Sequence, residues 1–64
     1  MTRKQMEKKL AERLNLRYQI MQEVKSNRTA YETNKICYNG MCEIVAQIGG
    51  YERREDGTHY VELY

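Results

Sequence analysis

The chain has 64 residues, which is enough for one small domain and too few for two. Charged residues make up 31% of it and hydrophobic residues 41%, a composition typical of a globular rather than a disordered protein. The net charge of +2 is far from that of a strongly basic nucleic-acid-binding domain, and so small a core leaves little room for a substrate cavity.

The N-terminal segment predicts one long amphipathic helix, from about residue 2 to about residue 26. Thr2 and Gln5 have the spacing of a capping box, and strong helix formers follow with no proline. Apolar side chains recur at helical spacing on one stripe of this segment: Met6, Leu10, Leu14, Ile20, Met21 and Val24. Ser26-Asn27 is the expected exit.

The C-terminal segment, about residues 31–64, predicts a three-stranded antiparallel β-meander. Asn39-Gly40 and Asp56-Gly57 each lie between runs that contain β-branched or aromatic residues, the pattern of a tight hairpin turn. The expected fold class is therefore α+β, with residues 1–64 forming a single domain in which the helix packs on the meander.

Two-residue turns would give each face of this meander a distinct set of side chains. The face that we expect the helix to cover is aliphatic: Cys37, Cys42, Ile44, Ala46, Ile48, Val61 and Leu63. The opposite face carries Ile36 together with Tyr38, Met41, Val45, Tyr51, Arg53, Tyr60 and Tyr64. A bulge at Gly49-Gly50 would exchange the two faces for residues 51–64.

The second face is the predicted partner-binding site, because one helix covers only one side of a sheet and Tyr, Met and Arg are enriched at protein interfaces. We therefore expect a small non-enzymatic regulatory or inhibitory module that docks on a larger protein partner through this face or through an exposed edge strand. Small proteins of this build are frequent in phages and mobile elements.

Nucleic-acid binding is the alternative function, since residues 1–30 hold eight basic and three acidic residues. The predicted phosphate or anion contacts are Arg3, Lys4, Lys8, Lys9, Arg13 and Arg17. Arg13 and Arg17 fall within the apolar stripe, where each needs a carboxylate partner such as Glu43 or Glu62, or an acidic ligand. A homodimer through a short coiled coil of Leu10, Leu14, Met21 and Val24 is a further option.

Cys37 and Cys42 would lie opposite each other in the first hairpin, within disulfide range. They are either a redox-sensitive pair or two reduced, buried thiols. His59 is expected to be a solvated residue at a strand end, and two cysteines with one histidine cannot complete a zinc site. No enzyme activity, metal or cofactor is therefore expected.

The cellular location is predicted to be cytoplasmic, without a membrane partner. The first nine residues are rich in charge, unlike a signal peptide, and no apolar run approaches the ~18 residues of a membrane span.

Overall fold

The computed structural model describes all 64 residues as two helices followed by a β-hairpin. Helix α1 spans Arg3–Glu23 and helix α2 spans Arg28–Ile48. Strands β1 (Gly49–Arg53) and β2 (His59–Leu63) form a two-stranded antiparallel sheet. The predicted α+β class is confirmed, whereas the prediction of one helix and a three-stranded meander is wrong.

Helix α1 begins where its capping box predicts. The Thr2 hydroxyl accepts a hydrogen bond from the Gln5 backbone N–H at 3.2 Å, and the Gln5 side chain accepts one from the Thr2 backbone N–H at 2.9 Å. Within the apolar stripe Leu14 and Met21 are buried, while Met6 remains exposed. Since Leu14 and Met21 pack inside the chain's own core, they are not free for the coiled-coil dimer that the sequence left open.

Helix α2 occupies the segment for which the sequence predicted the first hairpin. Asn27 is its N-cap, and its side chain accepts a hydrogen bond from the Ala30 N–H at 3.1 Å. Tyr38, Cys42 and Val45 are buried along one side, at the four- and three-residue spacing of a helix. Asn39-Gly40 therefore lies inside a helix, because packing of this buried side outweighs the local turn signal.

The end of α2 is also the start of the sheet. Gly49 is the C-cap, its N–H bonds to the Val45 carbonyl, and its backbone is extended. A Cβ at Gly49 would lie 2.3 Å from the Glu62 carbonyl oxygen and 2.8 Å from the Leu63 Cα. Glycine is required there because β2 passes directly against this backbone. The first strand thus follows the helix without a connecting loop.

The β-hairpin has a three-residue loop rather than the predicted two-residue turn. The Arg54 N–H bonds to the Thr58 carbonyl at 2.8 Å, and the Gly57 N–H bonds to the Arg54 carbonyl at 3.0 Å. Gly57 has a positive φ of 87°, so the loop is a type I turn followed by a glycine bulge. The extra residue shifts the register by one, and Arg53 pairs with His59 rather than with Tyr60.

The core lies between the helical hairpin and one face of the sheet. Strand β2 packs mainly on α1 and β1 on α2. The buried hydrophobic residues are Leu14, Met21, Tyr38, Cys42, Val45, Val61 and Leu63. Val61 and Leu63 are therefore covered by helix, as the sequence predicted. Cys37, Ile44, Ala46 and Ile48, which were placed on the same covered face, are instead exposed on α2.

Side chains of α1 cover the free edge of β2. The alternation of an antiparallel ladder points the N–H groups of His59 and Leu63 away from β1. Asn15 accepts the first at 2.6 Å and Glu7 accepts the second at 2.7 Å. Arg3 reaches the same edge and donates to the Leu63 carbonyl. The edge of β2 is thus not open to pairing with another chain along this stretch.

Candidate functional site

Three polar side chains from three elements meet at the centre of the molecule. The Asn15 Oδ1 accepts the His59 backbone N–H at 2.6 Å and lies 2.8 Å from the His59 ring Nδ1. The His59 Nε2 lies 2.6 Å from the Tyr38 hydroxyl. Because an amide oxygen only accepts, Nδ1 carries the ring proton and Tyr38 donates to Nε2. This Asn15–His59–Tyr38 chain ties the sheet to both helices.

Aromatic rings enclose the same chain. The Tyr18 ring centroid lies 5.6 Å from that of Tyr38 and 5.8 Å from that of His59, in tilted and edge-to-face arrangements. The Arg53 guanidinium lies over the Tyr18 ring, 5.0 Å from its centroid. One cluster therefore joins α1, α2, β1 and β2, and His59 is only 6% exposed. The prediction of a solvated histidine at a strand end is wrong.

The protonation states follow from this environment. Burial lowers the pKa of His59, and the positive charge of Arg53 lowers it further. Burial, with a further contribution from Cys42, raises the pKa of Tyr38 to about 12. A neutral imidazole and a protonated phenol are the forms that the hydrogen-bond chain needs. Both ring nitrogens of His59 have hydrogen-bond partners in the core, so the chain of hydrogen bonds acts as a clamp between the sheet and the two helices.

The clamp makes the free energy of unfolding depend on pH. A histidine whose pKa is lower in the folded state stabilises the fold, and this stabilisation is complete above the unfolded pKa of about 6.5. The stabilisation is lost as the pH falls toward and through the pKa of the folded state. We expect urea-unfolding curves to show a falling free energy of unfolding between pH 7.5 and pH 5. A His59→Gln variant should lack that fall.

Other groups around His59 do not obscure this window. Tyr38 keeps its proton throughout, because its pKa is raised to about 12. Hydrogen bonds from Thr58 lower the pKa of Asp56. The contribution of this carboxyl group to the free energy of unfolding is therefore lost only below about pH 4. An equal slope in the wild type and in His59→Gln would contradict the assignment.

The predicted partner-binding residues do not form one surface. Tyr38 and Val45 are buried, and Met41 is half-buried against the core. The prediction that these three side chains lie on an open sheet face is wrong, because the segment is a helix and directs them into the core. Tyr51 and Arg53 lie on the inner side of the sheet, opposite Val61 and His59, but remain exposed at its margin. Tyr60 lies on the outer side of the sheet. Tyr64 follows the end of β2.

Cys37 and Cys42 are not a redox pair. Both lie on α2, where five residues separate side chains by about 140° around the axis. Cys37 is exposed, whereas Cys42 is buried next to Tyr38. The predicted closeness depended on the first hairpin, which does not form.

The predicted basic residues divide between two sides of α1. Lys4 and Lys8 line a groove of about 410 Å³ beside β2. Lys9, Arg13 and Arg17 are exposed one helical turn apart on another side, and neither arginine has the expected carboxylate. Arg3 makes the chain's only ion pair, with Glu7 at 3.9 Å. The six residues therefore form no single anion-binding patch.

The outward side of α2 is an apolar surface that the sequence reading missed. At about 100° per residue, one arc of roughly 120° contains no charged residue over positions 33–48. We call this arc the uncharged face: Thr33, Ile36, Cys37, Gly40, Ile44, Gln47 and Ile48. Ile36 is 71% exposed and Ile44 is 61% exposed. A solvent-facing helix side normally carries charges, so this face is anomalous in a chain with 31% charged residues.

Gly40 lies at the centre of the uncharged face, and nothing within the chain explains it. Its φ is not positive, and a Cβ there would meet no atom within 4 Å. A glycine inside a helix costs about 0.5–1 kcal/mol relative to alanine. Gly49 is required by a close backbone contact, whereas no contact within the chain requires a glycine at position 40.

The sequence contains a signal for this surface. Ile36, Gly40, Ile44 and Ile48 recur every four residues, which is the spacing of a ridge along a helix. The Asn39-Gly40 turn signal predicted two strands instead, with Gly40 in the turn, Ile36 on one face of the sheet, and Ile44 and Ile48 on the other.

Comparison with protein-family models, with curated proteins and with solved structures gave no match. No three His, Cys, Asp or Glu side chains come together as a metal site. Neither helix is long and apolar enough to cross a membrane. The geometry thus presents an exposed apolar helix face on a clamped α+β scaffold.

Proposed function

We propose that this chain is a small, non-enzymatic protein-interaction module that docks through the uncharged face of α2. The observation that carries the proposal is the exposure of Ile36, Ile44 and Ile48 on a helix side without charge. Exposed apolar patches on small soluble domains mark interaction surfaces. Such a module would regulate or inhibit by occupying the matching apolar surface of a protein partner.

The strength of such docking can be bounded. Full burial of an exposed isoleucine side chain contributes about 1.5–3 kcal/mol, so the three isoleucines together supply several kcal/mol. That gain is of the same order as the ~4–15 kcal/mol cost of association. The two nearly cancel, so we expect this face alone to bind weakly; a micromolar dissociation constant, about −8 kcal/mol, needs contacts beyond the three isoleucines.

The uncharged face is a better docking element than the sheet. The free edge of β1 is only five residues long and carries Glu52 and Arg53, and charges on a short edge strand oppose pairing with another strand. The outer face of the sheet presents Glu52 and Glu62 on either side of Tyr60. Both surfaces lack the contiguous apolar area that α2 offers.

Site-specific photo-crosslinking tests the proposal. A photoactivatable residue at Gln47 lies on the uncharged face, and the same residue at Gln22 lies on an exposed part of α1 as a matched control. We expect the Gln47 probe in the full chain to capture protein in the native host, and an added Ile36→Ser/Ile44→Ser change to abolish capture. Equal capture from Gln22 and Gln47, or capture that survives the double change, would contradict the proposal.

Nucleic-acid binding remains the alternative, supported by the ridge of Lys9, Arg13 and Arg17. These side chains repeat about every 6 Å along α1 with no carboxylate within 4.0 Å. Three phosphate contacts would make binding fall steeply between low and moderate salt. Binding of single-stranded DNA that weakens in this way, and is lost in Arg13→Gln/Arg17→Gln, would favour this function. Salt-insensitive binding of a protein partner favours docking through α2.

A further inference from the structure

The uncharged face has a palindromic arrangement about Gly40. Ile36 and Ile44 lie four residues before and after the glycine, and Thr33 and Gln47 lie seven residues before and after it. Five of the seven residues of the face therefore map onto one another about Gly40, whereas the mates of Cys37 and Ile48 are Glu43 and Glu32. Matching residues of this kind suit a two-fold symmetric contact between antiparallel helices, because residue i then faces residue j and j faces i.

The shape of the face is self-complementary as well. Gly40 leaves a notch with open space above it, and an exposed isoleucine rises one turn to either side. In an antiparallel pair centred on Gly40, Ile36 of one copy lies against Ile44 of the other. Missing side-chain atoms at the crossing point let the two backbones approach closely. This close approach supplies the reason for Gly40 that the isolated chain does not.

The electrostatics permit the same contact. A symmetric contact places each patch against its own copy, so any net charge in the patch would face a like charge. The uncharged face has none, and the pairing sets Glu43 and Glu32 opposite Cys37 and Ile48 rather than opposite another carboxylate. The ridge of Lys9, Arg13 and Arg17 on α1 would instead repel itself.

From these observations we infer that the occupant of the uncharged face is a second copy of this chain, packed as an antiparallel α2–α2 pair around Gly40. This inference rests on the proposed function, since it names the partner for the same surface. One helix face buries less than the ~1,200–2,000 Å² of a standard stable interface. The dimer is therefore concentration-dependent and in exchange with the monomer.

Sedimentation equilibrium across a hundredfold range of concentration tests for the dimer. We expect the wild-type weight-average mass to rise from 7.7 kDa toward twice that value. Gly40→Gln should stay monomeric at every concentration, because the new side chain fills the notch while its Cβ meets open space in the monomer. Asn39→Gln introduces the same residue next to the face and should dimerise like the wild type. An unchanged circular dichroism spectrum shows that both variants remain folded.

Disulfide trapping tests the antiparallel arrangement. In a Cys37→Ser background, one protein carries Ile36→Cys and a second carries Ile44→Cys. Oxidation of the mixture should give a mixed disulfide at least tenfold faster than either protein forms one alone. Faster formation of the Ile36→Cys homodimer would overturn the antiparallel pairing.

The two proposals can fail separately. A wild-type chain that stays monomeric throughout, while the Gln47 probe captures a different protein, overturns the second copy as the occupant and leaves docking through α2 in place. A monomeric chain whose Gln47 probe captures nothing removes both. A Gly40→Gln variant that still dimerises also overturns the inference, because the contact would then not pass through the notch.

Discussion

Replacing Gly49 with alanine should lower the free energy of unfolding by about 3 kcal/mol or more. The new Cβ would lie 2.3 Å from the Glu62 carbonyl oxygen and 2.8 Å from the Leu63 Cα, and these atoms belong to the backbone. No rotamer change can relieve that overlap, so β2 would have to move away from the junction of α2 and β1. A domain of 64 residues has only about 3–10 kcal/mol to lose, so the variant should lose about a third or more of its free energy of unfolding.

Gly50→Ala is the matched control for this experiment. Gly50 is the next residue in the same strand, and a Cβ there would meet nothing within 4 Å. We expect its free energy of unfolding to stay within about 0.5 kcal/mol of the wild type. Urea unfolding followed by circular dichroism measures both variants. Equal stability of Gly49→Ala and Gly50→Ala would show that β2 does not pass against the C-terminus of α2.

Truncating Tyr38 should have the second large effect. Its side chain is 6% exposed, and Tyr38→Ala removes a core ring as well as the hydroxyl that donates to the His59 Nε2. Large-to-small changes of aromatic core residues cost about 3–5 kcal/mol. Tyr38→Phe keeps most of the ring and removes only the donor, so it should cost about 1–3 kcal/mol. The difference between the two variants separates packing from the hydrogen bond.

Tyr60→Ala provides the contrast, since Tyr60 is 48% exposed on the outer side of the sheet. It should change the free energy of unfolding by less than about 0.5 kcal/mol. Urea or thermal unfolding of the single variants and of the double variant gives the comparison. If Tyr38 were on an open face of a sheet, as the sequence predicted, removing its side chain would leave the free energy of unfolding almost unchanged. A mild effect at both positions would restore that interpretation.

The N-terminal helix could be predicted because all its signals agree. Thr2 and Gln5 cap its start, its residues favour helix, and Leu10, Leu14 and Met21 repeat on one side. The second helix could not be predicted in the same way, because Asn39-Gly40 favours a turn while Tyr38, Cys42 and Val45 favour a helix. Only packing against α1 decides between them, and that contact joins residues that are distant in the sequence.

The hairpin at Asp56-Gly57 was predicted correctly as a hairpin but with the wrong loop length. A positive φ at Gly57 satisfies both a two-residue turn and a type I turn with a bulge, so the dipeptide alone does not set the register. The register in turn decides that His59 pairs with Arg53 rather than with Arg54. Its contacts with Asn15 and Tyr38 follow from the arrangement of both helices and have no signature in the sequence.

The candidate docking surface shows the same dependence. The predicted hairpin places Ile36 on the opposite face from Ile44, with Gly40 in the turn between them, whereas the helical period brings all three onto one exposed side. The surface therefore exists only if α2 is continuous, and the buried positions of Tyr38 and Val45 depend on the same continuity.

Backbone chemical shifts from NMR over residues 36–44 test that continuity most directly. We expect helical Cα shifts at every position, with sequential amide–amide contacts running without a break through Asn39 and Gly40. Extended shifts on either side of those two residues would contradict the fold, because they would place a turn where we describe the middle of a helix. The uncharged face and the Asn15–His59–Tyr38 chain would then both be lost.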